Sequence, residues 1–352
     1  MLVLIDRLVR AVDRWQQRSK PAGFVVGVVK KYGDDRGGQL AALVAFSGFL
    51  SFFPLMLVVV TVTAFVARRS PELAERIRTS AVAEFPVVGA ELTGGQRALP
   101  GSGLGLAVGL AALSWGGFGF TQAIQHAFHE IWHVPHKSRP SFVVRMKRGL
   151  AVLGLLALAL AVSMILGLLG SLVAGSRVVG AVGLVGACLT SGALFLAVFW
   201  LLSPRDVSVR QLVPGTVFAA VGWQALQTIG VRLVGHQLRR SSNLYGAIGA
   251  ALGLVYFLLL STQIFLYALE ITVVRKDRLW PRSIIQPPLT GPDKAILAMM
   301  AKQEERRPEE HVSVRFTTPD DSTPDAKTAL PATGANECQL DVVTCIESPD
   351  SP

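Results

Sequence analysis

The residues with the clearest chemical potential form the run His129-Glu130-Ile131-Trp132-His133, an H-E-x-x-H motif. On an α-helix this spacing puts both imidazoles on one face beside the glutamate, as in many zinc hydrolases. A catalytic zinc also needs a third protein ligand, and no downstream motif supplies one at a familiar spacing. We therefore predict no metal site and no resident cofactor, with His129 and His133 as weak candidates only. Adventitious metal affinity and a plain polar loop both stay open.

Glu270 is the strongest candidate among polar residues inside apolar stretches, where ionisable groups are costly and often functional. It lies about one turn before Arg275 and Lys276, near the end of the last apolar stretch. Two hypotheses follow. Glu270 is either an interfacial carboxylate paired with those cations, or a gating or proton-linked group.

Further candidates lie in the other apolar stretches. Pro54 has no N–H and its ring clashes with the carbonyl of Leu50, so Ser51 and Pro54 predict a break or a kink in the first stretch. Glutamines inside apolar stretches either line a polar path between helices or form interhelical hydrogen bonds. The glutamines in question are Gln122, Gln224 and Gln263.

Composition shows which elements must carry these residues. The chain is 51% hydrophobic and only 16% charged, with a mean hydropathy of +0.47, so the bilayer is part of its solvent. A spanning helix needs about 20 mainly apolar residues. Six stretches qualify: residues 40–67, 104–124, 150–174, 178–202, 213–234 and 246–274. The predicted fold is all-α, a polytopic membrane protein with about six transmembrane helices across residues 37–278.

The two flanking segments differ in charge. Residues 1–36 alternate apolar clusters with arginines and lysines, which predicts a basic amphipathic helix at the membrane interface that binds anionic lipid head groups. Pro21 should break it, and a second short helix should follow. Residues 279–352 are predicted to be a disordered acidic tail, because positions 303–352 hold 11 acidic and 4 basic residues. A short helix over residues 293–307 is possible within it.

Basic residues in the loops predict the orientation. With the N-terminus inside, the inner segments hold 19 lysines and arginines and the outer loops hold 8. The positive-inside rule then favours a plasma-membrane protein with both termini in the cytoplasm.

Several ordered motifs resemble the YihY/BrkB family of bacterial inner-membrane proteins. They are Phe49-Leu50-Ser51-Phe52-Phe53-Pro54-Leu55, Ser203-Pro204-Arg205-Asp206-Val207, Val213-Pro214-Gly215 with Trp223, Tyr245-Gly246, and Glu270. The resemblance implies six helices with both termini inside, and it implies no settled activity. Ala268-Leu269-Glu270 stands where the family usually has Gly-Ala-Glu, which leaves close helix packing at this point open.

The functional hypotheses follow in order. The first is transport or export of an amphiphilic or anionic substrate, and the second is a non-catalytic membrane scaffold. A metal-dependent hydrolase or a ribonuclease comes last, because the cytoplasmic segments offer scattered arginines and no carboxylate cluster. We predict that the chain is not an enzyme and has no nucleic-acid partner. The sequence leaves the substrate and the oligomeric state open.

Overall fold

A computed structural model describes residues 2–67, 103–172, 177–237 and 246–316. The predictions for the 68–103 loop, for the turn at residues 175–176, for the loop at Arg239 and Arg240, and for the tail after residue 316 lie outside the described residues.

The described residues form nine α-helices and no strand. The helices are α1 (Leu2–Arg18), α2 (Lys20–Asp34), α3 (Gly37–Ala67), α4 (Gly103–Ile131), α5 (Phe142–Leu172), α6 (Arg177–Leu202), α7 (Val209–Gln237), α8 (Gly246–Asp277) and α9 (Gly291–Gln303). A short 3₁₀ turn at His136–Ser138 lies between α4 and α5.

Five of the described helices, α3, α4, α5, α6 and α8, are long and apolar enough to cross a membrane. The predicted all-α polytopic membrane fold is confirmed. Helix α7 occupies the fifth predicted stretch with 29 residues, but Gln224, Gln227 and Arg232 lower its apolar character. It packs along both α6 and α8. That α7 also spans the membrane stays a prediction.

Helices α7 and α8 approach each other closely at Gly215. A Cβ atom at this position would overlap the carbonyl oxygen of Ala268 and the hydroxyl of Thr272. Ala268 and Leu269 are fully buried. The close packing at Ala268 that the sequence left open is therefore formed, because the small residue that permits it, Gly215, lies on the opposite helix.

The N-terminal segment consists of two helices, as predicted. Helix α1 ends at Arg18, Ser19 is extended, and Pro21 sits in the first turn of α2, where its missing N–H costs nothing. Asp13 and Gln16 face inward on α1, whereas Trp15 is 64% exposed.

The predicted start of the disordered tail at residue 279 is wrong. Leu279 and Ile296 are buried, and Trp280 packs edge-on against Phe24 of α2 at 5.2 Å between ring centroids. Helix α9 starts at a capping box in which Thr290 and Asp293 bind each other's backbone amides. The composition of this segment is typical of a disordered chain. The segment is nevertheless ordered, because Leu279 and Ile296 are buried and Trp280 packs against α2.

Candidate functional site

Lys31 is the centre of the candidate site. Its side chain is fully buried, and its ammonium group forms an ion pair with Asp35, which lies one turn later, directly after the end of α2. The same Nζ donates to the backbone oxygen of Ile131 at 2.9 Å and lies 3.0 Å from Oε2 of Glu270 on α8. The side chains of Asp35 and Glu270 are also fully buried. One lysine therefore connects α2 with the end of α4 and with a candidate membrane span.

His133 extends this group beyond the end of α4. Its Nε2 lies 3.4 Å from Oδ1 of Asp35, and its Nδ1 lies 2.8 Å from Oε1 of Gln303 on α9. We name Lys31, Asp35, His133 and Glu270 the charge cluster.

Gln303 and Arg139 hold Glu130 at the border of the charge cluster. The Gln303 Nε2 donates to Oε2 of Glu130 at 2.5 Å, and an Arg139 guanidinium nitrogen donates to its Oε1 at 2.9 Å. The carboxylate of the H-E-x-x-H motif is thus held by an arginine and an amide.

The histidines of the motif do not share a helical face. Helix α4 ends at Ile131, and His133 has a left-handed backbone with φ of 46°. The one-turn geometry that a zinc hydrolase needs is therefore not formed between His129 and His133. In the part of the chain that the structure describes, no group of three or more His, Cys, Asp or Glu residues could hold a metal ion.

The predicted partners of Glu270 were wrong. Its ion pair is with Lys31, which is 239 positions away in the sequence, and neither Arg275 nor Lys276 takes this role. Lys276 instead pairs with Asp206 at 2.7 Å, near the surface, while Arg275 is exposed. A helical offset of five or six residues turns both cations away from the buried face of α8.

The pKa values around Lys31 shift in opposite directions. Burial lowers the pKa of Lys31, but Glu270 and Asp35 outweigh burial and raise it above its ordinary value. Burial and the positive charge of Lys31 lower the pKa of His133. Burial, Tyr267 and Glu270 raise the pKa of Tyr32 to about 12. The ammonium group therefore stays charged and the phenol stays neutral.

A second cluster, which we name the clasp, joins α2 to the segment before α9. It contains two cations and two carboxylates: Lys30, Arg282, Asp34 and Asp293. Arg282 lies 2.8 Å from Asp293 and 2.6 Å from Asp34, while Lys30 lies 3.2 Å from Asp293.

Asp293 is the most heavily bonded carboxylate of the clasp. Burial raises its pKa, but hydrogen bonds from Thr290, Ser283 and Arg282 outweigh burial and hold the pKa well below its usual range. The segment after α8 is therefore fastened to the N-terminal helices by a charge-balanced group.

The first predicted helix is continuous through Pro54, so the predicted break is absent and only a bend stays a prediction. The Ser51 hydroxyl donates to the carbonyl of Ser47 at 2.8 Å. Phe52 and Met56 pack with Leu254, which precedes Glu270 by 16 residues, or about 24 Å along a helix. The structure therefore places Pro54 and Glu270 in separate layers.

The three glutamines occupy different environments. Gln122 accepts a hydrogen bond from Nε of Arg145 at 2.9 Å, at the start of α5. Gln224 and Gln263 are half-buried on α7 and α8. Across the described helices no hydrogen bond joins any two of the three, so they do not form one polar path through direct contact.

Sequence reasoning missed Lys31, Asp35 and Gln303. The i, i+4 spacing of Lys31 and Asp35 on a helix was a readable sign of pairing. Nothing local signals that this pair meets Glu270 or that Gln303 meets His133, because these contacts span 239 and 170 positions.

Comparisons with known proteins agree with this architecture. The sequence model of a family described as virulence factor BrkB matches residues 28–288. The chain is 23% identical over 275 residues to the inner membrane protein YhjD of Escherichia coli (strain K12), covering 71% of this chain and 80% of that protein. It is 24% identical over 287 residues to an uncharacterized protein of Dickeya dadantii (strain 3937), covering 73% and 85%. No solved structure matches. The matched region contains the charge cluster but neither α1 nor α9.

Proposed function

The chain belongs to the virulence factor BrkB family, and we propose that this membrane protein moves an amphiphilic or anionic substrate across the plasma membrane. The plasma membrane is proposed because one relative is named an inner membrane protein. The loop charges further support an orientation with both termini in the cytoplasm. The observation that carries the proposal is the fully buried ion pair of Glu270 and Lys31, which ties a membrane-spanning helix to a helix outside the spans.

Stability alone does not account for such a pair. Desolvating two charges costs several kcal/mol each, and replacing a buried ion pair with apolar residues is often neutral or stabilising. A charged group that changes partners during a transport cycle must be able to separate from its present partner. Breaking the contact between Lys31 and Glu270 would free α8 from α2, which gives the pair a role as a gate.

The N-terminal helix supplies a membrane-facing element for this function. Arg14 and Arg18 are exposed, and Trp15 beside them is 64% exposed. Basic residues attract anionic lipids, and tryptophan favours the head-group region. We propose that α1 contacts anionic head groups and holds the charge cluster near the inner surface.

A non-catalytic scaffold is the second candidate. One observation favours it: Pro54, Gln122 and Glu270 lie in separate environments, as the geometry above shows. A scaffold needs no polar path, and its helices can pack without one.

Reconstitution in liposomes separates the two functions. The probes are a fluorescent anionic phospholipid, whose inner-leaflet population is followed by an impermeant quencher, and a trapped anionic dye. We expect the protein to accelerate movement of at least one probe relative to protein-free liposomes. Glu270→Gln should slow that movement by about tenfold or more, equivalent to about 1.4 kcal/mol on the barrier.

Asp206→Asn is the matched control, because Asp206 pairs with Lys276 near the surface. This variant should retain the wild-type rate at equal amounts of folded protein. Absence of accelerated movement of both probes, or a wild-type rate in Glu270→Gln, would refute the transport proposal. The first of these results would favour the scaffold.

A further inference from the structure

The charge cluster and the clasp differ in charge balance. The clasp pairs two cations with two carboxylates. The charge cluster holds the carboxylates of Asp35 and Glu270 against the single cation Lys31, with His133 as its only other ionisable member. With a neutral imidazole the charge cluster carries a net charge of −1 in full burial. An uncompensated buried charge is strongly unfavourable, so this group has a place for one more proton.

The contacts of Gln303 determine which imidazole nitrogen carries the hydrogen. A carboxylate only accepts hydrogen bonds, so the Gln303 atom 2.5 Å from Glu130 is the Nε2 donor. The other amide atom, Oε1, is an acceptor and lies 2.8 Å from Nδ1 of His133. The hydrogen of the neutral imidazole must therefore be on Nδ1.

This tautomer leaves a lone pair on Nε2 of His133, directed at a carboxylate oxygen. Nε2 lies 3.4 Å from Oδ1 of Asp35, and neither atom has a hydrogen-bond partner although both are buried. Two acceptors facing each other in a buried site are unfavourable unless a hydrogen lies between them.

We propose that the charge cluster is a proton-binding site, in which one proton is held between Nε2 of His133 and Oδ1 of Asp35. On binding, Nε2 accepts the proton, the imidazole becomes an imidazolium, and the new Nε2–H donates to the carboxylate. The net charge of the cluster changes from −1 to 0, and Nδ1 keeps its bond to Gln303. Release is the reverse, with no other reactant.

Charged groups on three elements act on His133. Helix α2 and the residue that follows it contribute Lys31 and Asp35, α4 contributes Glu130, and α8 contributes Asp277. Glu270 on α8 contacts Lys31. Gln303 on α9 is neutral. Burial and Lys31 together lower the pKa of His133 despite the carboxylates of Asp35 and Glu130.

The direction of this shift sets the pH range of loading. The site binds its proton below about pH 6.5, the ordinary pKa of an imidazole, and holds no proton at neutral pH. The unfolded chain binds this proton more readily than the folded chain, so the contribution of His133 to stability falls as pH decreases through that range.

Proton binding has a structural consequence that does not depend on transport. It creates a hydrogen bond between the end of α2 and the turn after α4, and it gives Asp35, which competes with Glu270 for Lys31, a second cationic partner in the His133 imidazolium. If the protein is a transporter, the proton is its coupling ion, which deepens the proposed function. The measurement below follows protonation and not substrate movement, so the two proposals can fail separately.

Nuclear magnetic resonance of ¹⁵N-labelled histidine rings tests the site in the full chain in detergent or lipid discs. Six histidines contribute signals, and His133→Gln assigns the relevant one. Should that variant fail to fold, Gln303→Ala assigns it instead, since His133 contacts the Gln303 side chain, whereas His136 contacts its backbone oxygen, which the variant keeps. At about pH 8 we expect His133 to be neutral with its hydrogen on Nδ1, and below the ordinary imidazole value of about pH 6.5 we expect Nε2 to gain a proton.

Asp35→Asn provides the decisive variant. An asparagine oxygen can accept from Lys31 while its amide donates to Nε2 of His133, which reproduces the loaded hydrogen bonds without the proton. The pH at which His133 gains its proton should then be lower by about one unit or more than in the wild type. The neighbouring Asp34→Asn, which belongs to the clasp, should leave it unchanged.

Three results would overturn the proposal. The first is a neutral His133 with its hydrogen on Nε2, and the second is an imidazole that keeps one charge state across the whole range, as expected if Glu270 holds the proton. The third is an unaltered titration in folded Asp35→Asn.

Discussion

Removal of the buried ammonium group by Lys31→Met should destabilise the protein strongly. The methionine keeps most of the apolar stem but deletes the charge that contacts Asp35, Glu270 and the carbonyl of Ile131. Two fully buried carboxylates then face each other without a cation. Removing one partner of a buried ion pair typically costs about 3 to 5 kcal/mol, and we expect Lys31→Met to fall in that range.

Lys30→Met is a control at the adjacent position. The Lys30 side chain is 22% exposed, and Asp293 keeps Arg282 and the Thr290 cap when Lys30 is removed. An ion pair that is partly solvated contributes about 1 kcal/mol or less. The losses of unfolding free energy caused by Lys31→Met and Lys30→Met should therefore differ by at least about 2 kcal/mol.

The assay is reversible unfolding by denaturant in a mild detergent, with each variant measured alone and together with Glu270→Gln. Because Glu270→Gln removes one stranded charge, it should be less harmful in the Lys31→Met background than in the wild type. The resulting coupling energy should be about 1 kcal/mol or more. Equal costs for Lys31→Met and Lys30→Met, or additive effects of Lys31→Met and Glu270→Gln, would refute the assignment of a buried ion pair.

Three further predictions test packing, the tail and topology. Gly215→Ala should destabilise the protein by about 1 to 3 kcal/mol in the same unfolding assay, because the added methyl meets the α8 backbone; Gly154→Ala, which has open space, should be neutral or slightly stabilising. Truncation after Pro287 should lower thermal stability because it removes α9 and Asp293 of the clasp, whereas truncation after residue 316 should not; equal melting temperatures would contradict this account. Cysteines placed in the 68–103 loop or at Arg239 should react with impermeant thiol reagents in intact cells, and labelling of the two tail cysteines instead would reverse the topology.

The fold was largely predictable because bilayer-spanning helices leave a strong local pattern. Runs of about 20 apolar residues are rare by chance, and backbone amides in lipid must be paired within a helix. The break at Pro21 was predictable for a similar local reason, since proline is favoured in the first turn of a helix. Residues 279–303 were predicted to be disordered apart from a short helix at 293–307, because composition averages over a segment. The helix is present at Gly291–Gln303, but the order of the segment before it depends on burial of Leu279 and Ile296.

The contacts within the candidate site, unlike the fold, could not be predicted from the sequence. Glu270 was identifiable from sequence because a carboxylate in an apolar run is unusual wherever it points. Its partner was not, since the nearest cations in sequence lie on other faces of α8 and Lys31 reaches it only through the packing of α2. His133 was identified as part of the H-E-x-x-H motif, but α4 ends before this residue. Its neighbours in the structure are Asp35 and Gln303.

The sequence by itself determined the class of the protein, the helical segments and the presence of an ionisable group at depth, because each of these depends on composition within a window of about 20 residues. Tertiary structure alone decided which charges meet. An ion pair depends on distances of a few ångströms between atoms, and chain folding places positions 31 and 270 at 3.0 Å without any local sign in either segment.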